Sequence, residues 1–217
     1  PSSAASDVYK RQLDDNAAAT PKIRSAILSG LLRGFEGKKS FPPSMAGFVP
    51  ALARQLEKNT DNRIRALSMQ LYAYLVKKGL QPQAGLAERA AGIALDTSLQ
   101  GAFRTDALRV LVTDSSDRTF KVLEQMIQPA NPQSVQLQAV KTYNRLDPLR
   151  AGKYYVSVWS GLSPDMREQA IETYYASAAA EHLLLDAVEQ KKVMASHINW
   201  QRSVWLMNED DPRVRRR

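Results

Sequence analysis

The stretch "DNRIRALSMQLYAYL" (residues 61–75) contains the features that decide the fold of this chain. Its apolar residues recur at steps of three and four, at Ile64, Leu67, Leu71, Tyr74 and Leu75. This spacing places them on one face of an α-helix. Asp61 is a favourable N-cap, since its carboxylate can accept a hydrogen bond from a free backbone N–H. The stretch therefore predicts an amphipathic helix with Arg65 in its first turn.

The same periodicity recurs along the chain, whereas sustained period-2 alternation and hairpin signals are nearly absent. We predict helices over residues 20–36, 47–58, 61–78, 82–95, 98–113, 116–128, 132–146, 148–160, 163–178, 180–191 and 197–208. Residues 37–45, "GKKSFPPSM", are predicted to form a long loop, and residues 1–19 an N-terminal arm with at most a weak helix over Val8–Leu13. The fold class is all-α.

An internal repeat links these helices. The pattern is an apolar residue, Arg (once Gln), two variable positions, a mostly small residue and another apolar one, and the last copy contains its first four positions. The copies are "IRSAIL" (23–28), "IRALSM" (64–69), "FRTDAL" (103–108), "VQLQAV" (135–140), "MREQAI" (166–171) and "VRRR" (214–217). Their irregular spacing, near two helices per copy, is typical of an α-solenoid. We therefore predict one HEAT/armadillo-like α–α superhelix of about five helix pairs over residues 20–217.

The repeated cations are Arg24, Arg65, Arg104, Arg167 and Arg215. A cation at a helix start is unfavourable beside the positive end of the helix dipole, so each arginine needs a negative partner. We predict that these residues are structural and reach an acidic or carbonyl group of an adjacent repeat. A ligand-binding role is the weaker reading.

The composition excludes some functions. The chain has no Cys, which removes disulfides, thiolate metal sites and covalent haem attachment from these residues. Its apolar runs are far shorter than the roughly 18 residues of a membrane span. The net charge is +8, and the stretch from Lys191 onward contributes half of that surplus. A basic stripe is not evident, so nucleic-acid binding is the alternative rather than the first choice. It would need six lysines on one side: Lys38, Lys39, Lys77, Lys78, Lys191 and Lys192.

No motif indicates catalysis, a cofactor or a metal site. His182 and His197 lack the helical spacing of a zinc site, although Glu181 and Asp186 lie near His182. The acidic pairs at 14–15 and 210–211 do not form a calcium loop, and Asp211 before Pro212 is better explained as a helix N-cap. Asp61 and Asp117 invite the same explanation. No nucleophile elbow or phosphate-binding glycine loop is present.

Aromatic residues cluster late in the chain, at Tyr154, Tyr155, Trp159, Tyr174, Tyr175, Trp200 and Trp205. Helical spacing favours packing between helices over a stacking platform for sugars or bases. Of this group, Tyr154, Trp159 and Tyr175 are the predicted candidates for a partner surface.

The stretch from 183 to 217, with "LLLDAV" at its start and "NEDDPRVRRR" at its end, resembles a segment of a large multidomain family. The family comprises the extracytoplasmic bacterial proteins labelled membrane-bound dehydrogenases. They join a propeller to a HEAT-like region and a c-type cytochrome domain. The matching residues are Leu184, Leu185, Asp186, Ala187, Lys191, Lys192, Trp200, Arg202, Leu206, Asn208, Asp211, Pro212, Val214 and Arg215. The close match covers this tail, and "SPDMREQAIETYYA" (163–176) looks like that family's repeats.

The resemblance implies a periplasmic or otherwise extracytoplasmic protein, of which this chain is a helical segment truncated at both ends. It implies a non-catalytic scaffold that spaces neighbouring domains or binds a protein partner, while redox chemistry belongs to other domains. The alternative is nucleic-acid or phosphate binding through a basic HEAT-like surface.

Overall fold

The computed structural model describes residues 20–41, 43–58, 60–208 and 211–215. Within these ranges the regular secondary structure is helical, without a β-strand, which confirms the all-α prediction. The predicted arm over 1–19, with Val8–Leu13 and the acidic pair at 14–15, lies outside the described residues.

The α-helices follow the predicted order. They are α1 (Pro21–Phe35), α2 (Phe48–Lys58), α3 (Asn62–Lys77), α4 (Leu86–Leu95), α5 (Gly101–Val110), α6 (Asp117–Ile127), α7 (Gln133–Leu146), α8 (Pro148–Val158), α9 (Pro164–Ile171), α10 (Ala178–Glu189), α11 (Trp200–Met207) and α12 (Pro212–Arg215). Short 3-10 helices span Pro43–Gly47, Leu111–Thr113, Trp159–Gly161, Glu172–Ala176 and Ala195–His197.

Capping side chains start many of these helices. Asp61 accepts hydrogen bonds from the backbone N–H of Arg63 and Ile64, at 2.9 and 3.1 Å, as predicted. Asp117 is instead the first residue of α6, and Ser116 before it accepts from the Thr119 N–H at 3.3 Å. The prediction of Asp117 as a cap is therefore wrong by one position, although its charge still lies favourably in the first turn.

Three predicted boundaries differ for steric or packing reasons. The 37–45 loop is shorter, because a 3-10 helix begins at Pro43. The 82–95 helix starts only at Leu86, after Gly85 in the left-handed region at φ 70°. The 163–178 helix stops at Ile171 and tightens into the Glu172–Ala176 turn. Two buried side chains fix that turn: Thr173 donates to the Pro148 carbonyl at 2.9 Å and Tyr174 to the Gly152 carbonyl at 2.8 Å.

Packing divides the chain into two compact units, Pro1–Val122 and Leu123–Arg217. In the first unit α1, α3 and α5 pack side by side, while α2 packs on α3 and α4 packs on α5. In the second unit α7 packs on α8 and α9, and α10 packs on α8 and the turn after α9. The short α12 contacts both α10 and α11.

A buried ion pair joins two helices of the first unit. Arg65 on α3 donates from Nε to the Asp106 carboxylate on α5 at 2.9 Å, and both residues are buried. The same guanidinium lies over the Phe103 ring and donates to Asn62 at 2.6 Å, while Arg109 also pairs with Asp106. Burial raises the pKa of the Asp106 carboxyl, and the two arginines oppose that shift. Such a pair is costly to break, because the remaining charge would be buried alone.

Asp106→Ala is therefore expected to lower the free energy of unfolding of the first unit by about 3–5 kcal/mol. Glu57→Ala, which removes the exposed partner of Arg89, should cost at most about 1 kcal/mol. Urea unfolding followed by circular dichroism compares the two variants. The double variant Arg65→Met/Asp106→Leu should regain most of the loss, and equal effects of the two single variants would contradict this assignment.

Candidate interaction surface

The repeat arginines share one position in their helices. Arg24, Arg65, Arg104, Arg167 and Arg215 are each the fourth residue of α1, α3, α5, α9 and α12, and Gln136 is the fourth of α7. The sequence repeat therefore corresponds to a repeated place in the structure.

Three of these arginines have partners of two kinds, whereas the exposed Arg215 makes no ion pair with a described residue. Arg65 reaches the carboxylate on α5, as described above. Arg104 donates from Nε to the Ala94 carbonyl at 2.8 Å, at the end of α4. Arg167 donates to the Trp159 and Ser160 carbonyls at 3.2 and 3.1 Å, just after α8. The last two thus bind the C-terminal end of the preceding helix rather than a turn of the next repeat. That end carries partial negative charge, which offsets the unfavourable dipole at the arginine's own helix.

The predicted aromatic surface does not form as expected. Trp159 is only 2% exposed, and its indole N–H donates to His197 Nδ1 at 3.0 Å, so its selection as a surface residue is wrong. Tyr154 is half-buried, and its hydroxyl donates to the Glu124 carbonyl at 3.0 Å. Tyr175 is half-buried edge-on against Trp205, with the ring centroids 5.0 Å apart.

The two histidines are engaged with other side chains. His197 Nδ1 accepts from Trp159, and its Nε2 lies 3.4 Å from the Arg167 guanidinium. His182 Nε2 lies 3.2 Å from the Asp211 carboxylate, a partner that sequence spacing did not suggest. Asp211 stands at the start of α12, where its carbonyl accepts from the Val214 N–H. Among the described residues no group of three or more His, Asp or Glu could hold a metal ion.

Exposed apolar side chains concentrate in one late segment. Of the large exposed hydrophobic residues in the described part of the chain, four lie within 194–207 and the fifth is Ile23. The four are Met194, Trp200, Trp205 and Met207. Trp200 is 74% exposed and Met207 is 62% exposed. Trp and Met are the residue types that interfaces favour, because they offer large or adaptable apolar contact.

The geometry of helix α11 explains why Trp200 and Met207 face outward. At 100° per residue Trp200, Val204 and Met207 fall within about 60° of one another, and we call these three residues the outer face of α11. Arg202 and Leu206 lie on the opposite side. There Leu206 is buried, and Arg202 pairs with Glu168 at 2.8 Å. Among the described residues, the second unit thus holds α11 by one side, and on the outer face Trp200 and Met207 stay exposed while Val204 is half-buried.

The lysines of the alternative function form a partial cluster. Lys38 and Lys78 lie over the Phe35 and Tyr74 rings, each ammonium 5.7 Å from the ring centroid. The Tyr74 hydroxyl donates to the Phe35 carbonyl at 2.6 Å, which brings the ends of α1 and α3 together. Four lysines, Lys38, Lys39, Lys77 and Lys78, therefore follow or close two adjacent helix ends. Lys191 and Lys192 belong to the second unit.

Two clefts in the described residues are weaker candidates for a functional site than the exposed apolar residues. One of about 350 Å³ is lined by Lys141, Asn144, Arg145, Gln169, Glu172, Thr173 and Ala176. Its polar groups bind one another: Asn144 donates to the Gln169 carbonyl at 3.0 Å, and the Gln169 amide donates to Glu172. A smaller one of about 130 Å³ in the first unit is crossed by the Arg89–Glu57 pair. Neither presents the convergent, unsatisfied polar groups of a small-molecule site.

Comparisons with protein-family models, with curated proteins and with solved structures each find no match. No described helix combines the length and the apolar character needed to cross a membrane. The candidate site is therefore defined by this chain's own geometry, as an apolar helix face on the second unit.

The neighbouring residues Tyr174 and Tyr175 give a matched test of packing beneath α11. The buried Tyr175 hydroxyl has no hydrogen-bond partner among the described residues, whereas Tyr174 donates to the Gly152 carbonyl. Tyr175→Phe should therefore raise the free energy of unfolding by up to about 1 kcal/mol, and Tyr174→Phe should lower it by about 1 kcal/mol. Thermal and urea unfolding measure both. Destabilisation by Tyr175→Phe would show that its hydroxyl has a partner after all.

High pH provides a second test on the same residue. Burial raises the pKa of Tyr175 from 10 to about 12, so the folded state favours the neutral phenol. The stability linked to this group is present below pH 10 and is lost as the pH rises from 10 through 12. The advantage of Tyr175→Phe should therefore grow over that interval, as urea midpoints at successive pH values can show. A constant difference would contradict the raised pKa.

Proposed function

We propose that this chain is a non-catalytic helical-repeat scaffold whose function is to bind a protein partner. The uncovered outer face of α11 is the observation that carries this proposal, with Trp200 and Met207 largely exposed. Exposed large apolar side chains concentrated on one helix face are typical of interaction sites. Trp is also the residue type most enriched among those that dominate binding energy.

We infer further that the helices stack as a HEAT/armadillo-like superhelix of about five pairs. Two features support this. The repeat residue recurs at the fourth position of its helices, and in the first unit every second helix packs side by side. Repeats of this type bury their apolar faces only by stacking, and they bind partners through extended surfaces.

The resemblance of residues 183–217 to the membrane-bound dehydrogenase family supports a proposal about the larger protein. We propose that the chain is a segment of an extracytoplasmic, redox-related protein, in which it spaces or docks neighbouring domains. The proposal assigns no cofactor to these residues and places the cytochrome domain elsewhere. Genomic sequence that encodes a Cys-x-x-Cys-His motif downstream of Arg217 would support it. An unrelated domain or a stop codon at that place would count against it.

Photo-crosslinking tests the binding function directly. We expect p-benzoyl-phenylalanine at position 200 to form a specific adduct in the cells that produce the protein. The same amino acid at position 23, another exposed apolar site, should not form it. The purified partner should then bind the Trp200→Ser/Met207→Ser variant at least about tenfold more weakly. Identical adducts at both positions, or none at position 200, would contradict the proposal.

One observation favours a second candidate function, binding of nucleic acid or phosphate. It is the cluster of Lys38, Lys39, Lys77 and Lys78 at the ends of α1 and α3. Helix C-termini carry partial negative charge, however, which attracts lysines and disfavours an anionic ligand. The cluster therefore has a sufficient structural explanation.

Salt dependence decides this alternative. Binding of a labelled single- or double-stranded oligonucleotide would have to weaken steeply between about 50 and 200 mM salt. It would also have to disappear in the variant with all four lysines changed to Glu. Our first proposal predicts weak binding at most, with no selective loss in that variant.

A further inference from the structure

We propose that the outer face of α11 binds an amphipathic helix with acidic residues along its rim. This inference rests on the proposed protein-binding function and specifies its partner. The apolar residues of the face are Trp200, Val204 and Met207, spaced four and three apart. Such spacing is what one helix offers to the apolar stripe of another.

The geometry of α11 favours a helical partner. The outer face is about two turns long and lies between the N-cap of α11, Asn199, and its C-cap, Asn208. Its opposite side is held by Leu206 and the Arg202–Glu168 pair, so the exposed side chains have a fixed support. The exposed Met207 can repack around different apolar anchors, as Met-rich helix-binding surfaces do.

The charged residues beside the outer face of α11 determine which charges a partner helix should carry along its apolar stripe. The sequence from Lys191 to Arg217 contains seven Lys or Arg and three Asp or Glu, and of the acidic residues Glu209 and Asp210 lie outside the described residues. Lys191, Lys192 and Arg215 are exposed, and none of them makes an ion pair with a described residue. Among the described residues, the unpaired charges that flank α11 along the chain are therefore positive.

The described acidic groups in this part of the second unit are already engaged. Glu168 pairs with Arg202, and Asp211 lies beside His182. Asp186 and Glu189 on α10 also have interaction partners. A helix with acidic flanks would thus meet complementary cations, whereas a basic helix would meet like charges.

Two other occupants are less favoured. A membrane surface would also meet Trp and Lys, but an interfacial helix needs a wide, continuous apolar face. Here Leu206 is buried, and Trp205, 43% exposed, packs edge-on against Tyr175. A second copy of this chain would oppose the same cations to themselves, which is repulsive.

A pair of synthetic peptides tests the inference with the full 217-residue chain. The acidic probe is an amphipathic peptide of about 18 residues, long enough to form a helix, with Leu at i, i+3, i+4 and i+7 and Glu at most other positions. The control peptide keeps every Leu and replaces each Glu with Lys. Fluorescence anisotropy of the labelled peptides gives the affinities. The part of the change in tryptophan emission that Trp200→Ser abolishes reports the burial of Trp200, because the chain has three tryptophans.

We expect the acidic peptide to bind at least about tenfold more tightly than the basic one, and added salt to weaken its binding. Trp200→Ser and Met207→Ser should each weaken binding about tenfold or more, and Lys191→Glu/Lys192→Glu should reverse the preference between the peptides. Ile23→Ser is the matched control, because it removes an exposed apolar side chain from the first unit and should change nothing.

The opposite outcomes overturn the inference in distinguishable ways. Equal binding of both peptides, or no binding of either, removes the acidic helix as the partner. Trp200-dependent binding to anionic phospholipid vesicles without peptide binding would assign the face to a membrane. Self-association that Trp200→Ser abolishes, measured by light scattering, would assign it to a second copy. If crosslinking at position 200 still captures a partner while the peptides fail, the binding function stands and only the partner's chemistry is wrong.

Discussion

A cation in the first turn of a helix needs a negative partner, because it lies at the positive end of that helix's dipole. This chain repeats that situation at the fourth residue of helix after helix. Arg104 and Arg167 meet the need with carbonyls at the end of the preceding helix, and Arg65 meets it with a buried carboxylate. The end of one helix is thereby tied to the start of the next. In the first unit Arg104 makes this link between α4 and α5, which pack on one another.

The contrast between α5 and α11 shows how the same principles produce core and surface. Helix α5 packs on two neighbours and carries the buried Asp106. Helix α11 has Leu206 as its one buried residue. Its attachment through Arg202 and Trp205 uses one side only, so large apolar residues remain in solvent on the other. The free energy that their burial would yield is available to a partner.

Helix positions were well predicted from the sequence, because apolar periodicity and capping residues act over a few neighbouring residues. The prediction failed where distant contacts tighten the backbone, as at the turn after Ile171 that Thr173 and Tyr174 fix. The choice of surface aromatics failed for a related reason. Trp159 and Trp200 both lie at helix boundaries, and nothing local distinguishes the buried one from the exposed one. The four- and three-residue steps from Trp200 to Met207 were the signal that could have identified the outer face.

The sequence by itself determined the all-helical class, the capping at Asp61 and the first-turn position of the repeat arginines, since these follow from neighbours along the chain. Only the tertiary structure decided that Asp106 pairs with Arg65 across 41 residues and that Trp159 donates a hydrogen bond to His197 across 38. The exposure of the Trp200 side chain was also decided only there. Burial is a property of what packs against a side chain from elsewhere in the fold. For that reason the exposure of the outer face of α11 became evident only from the structure.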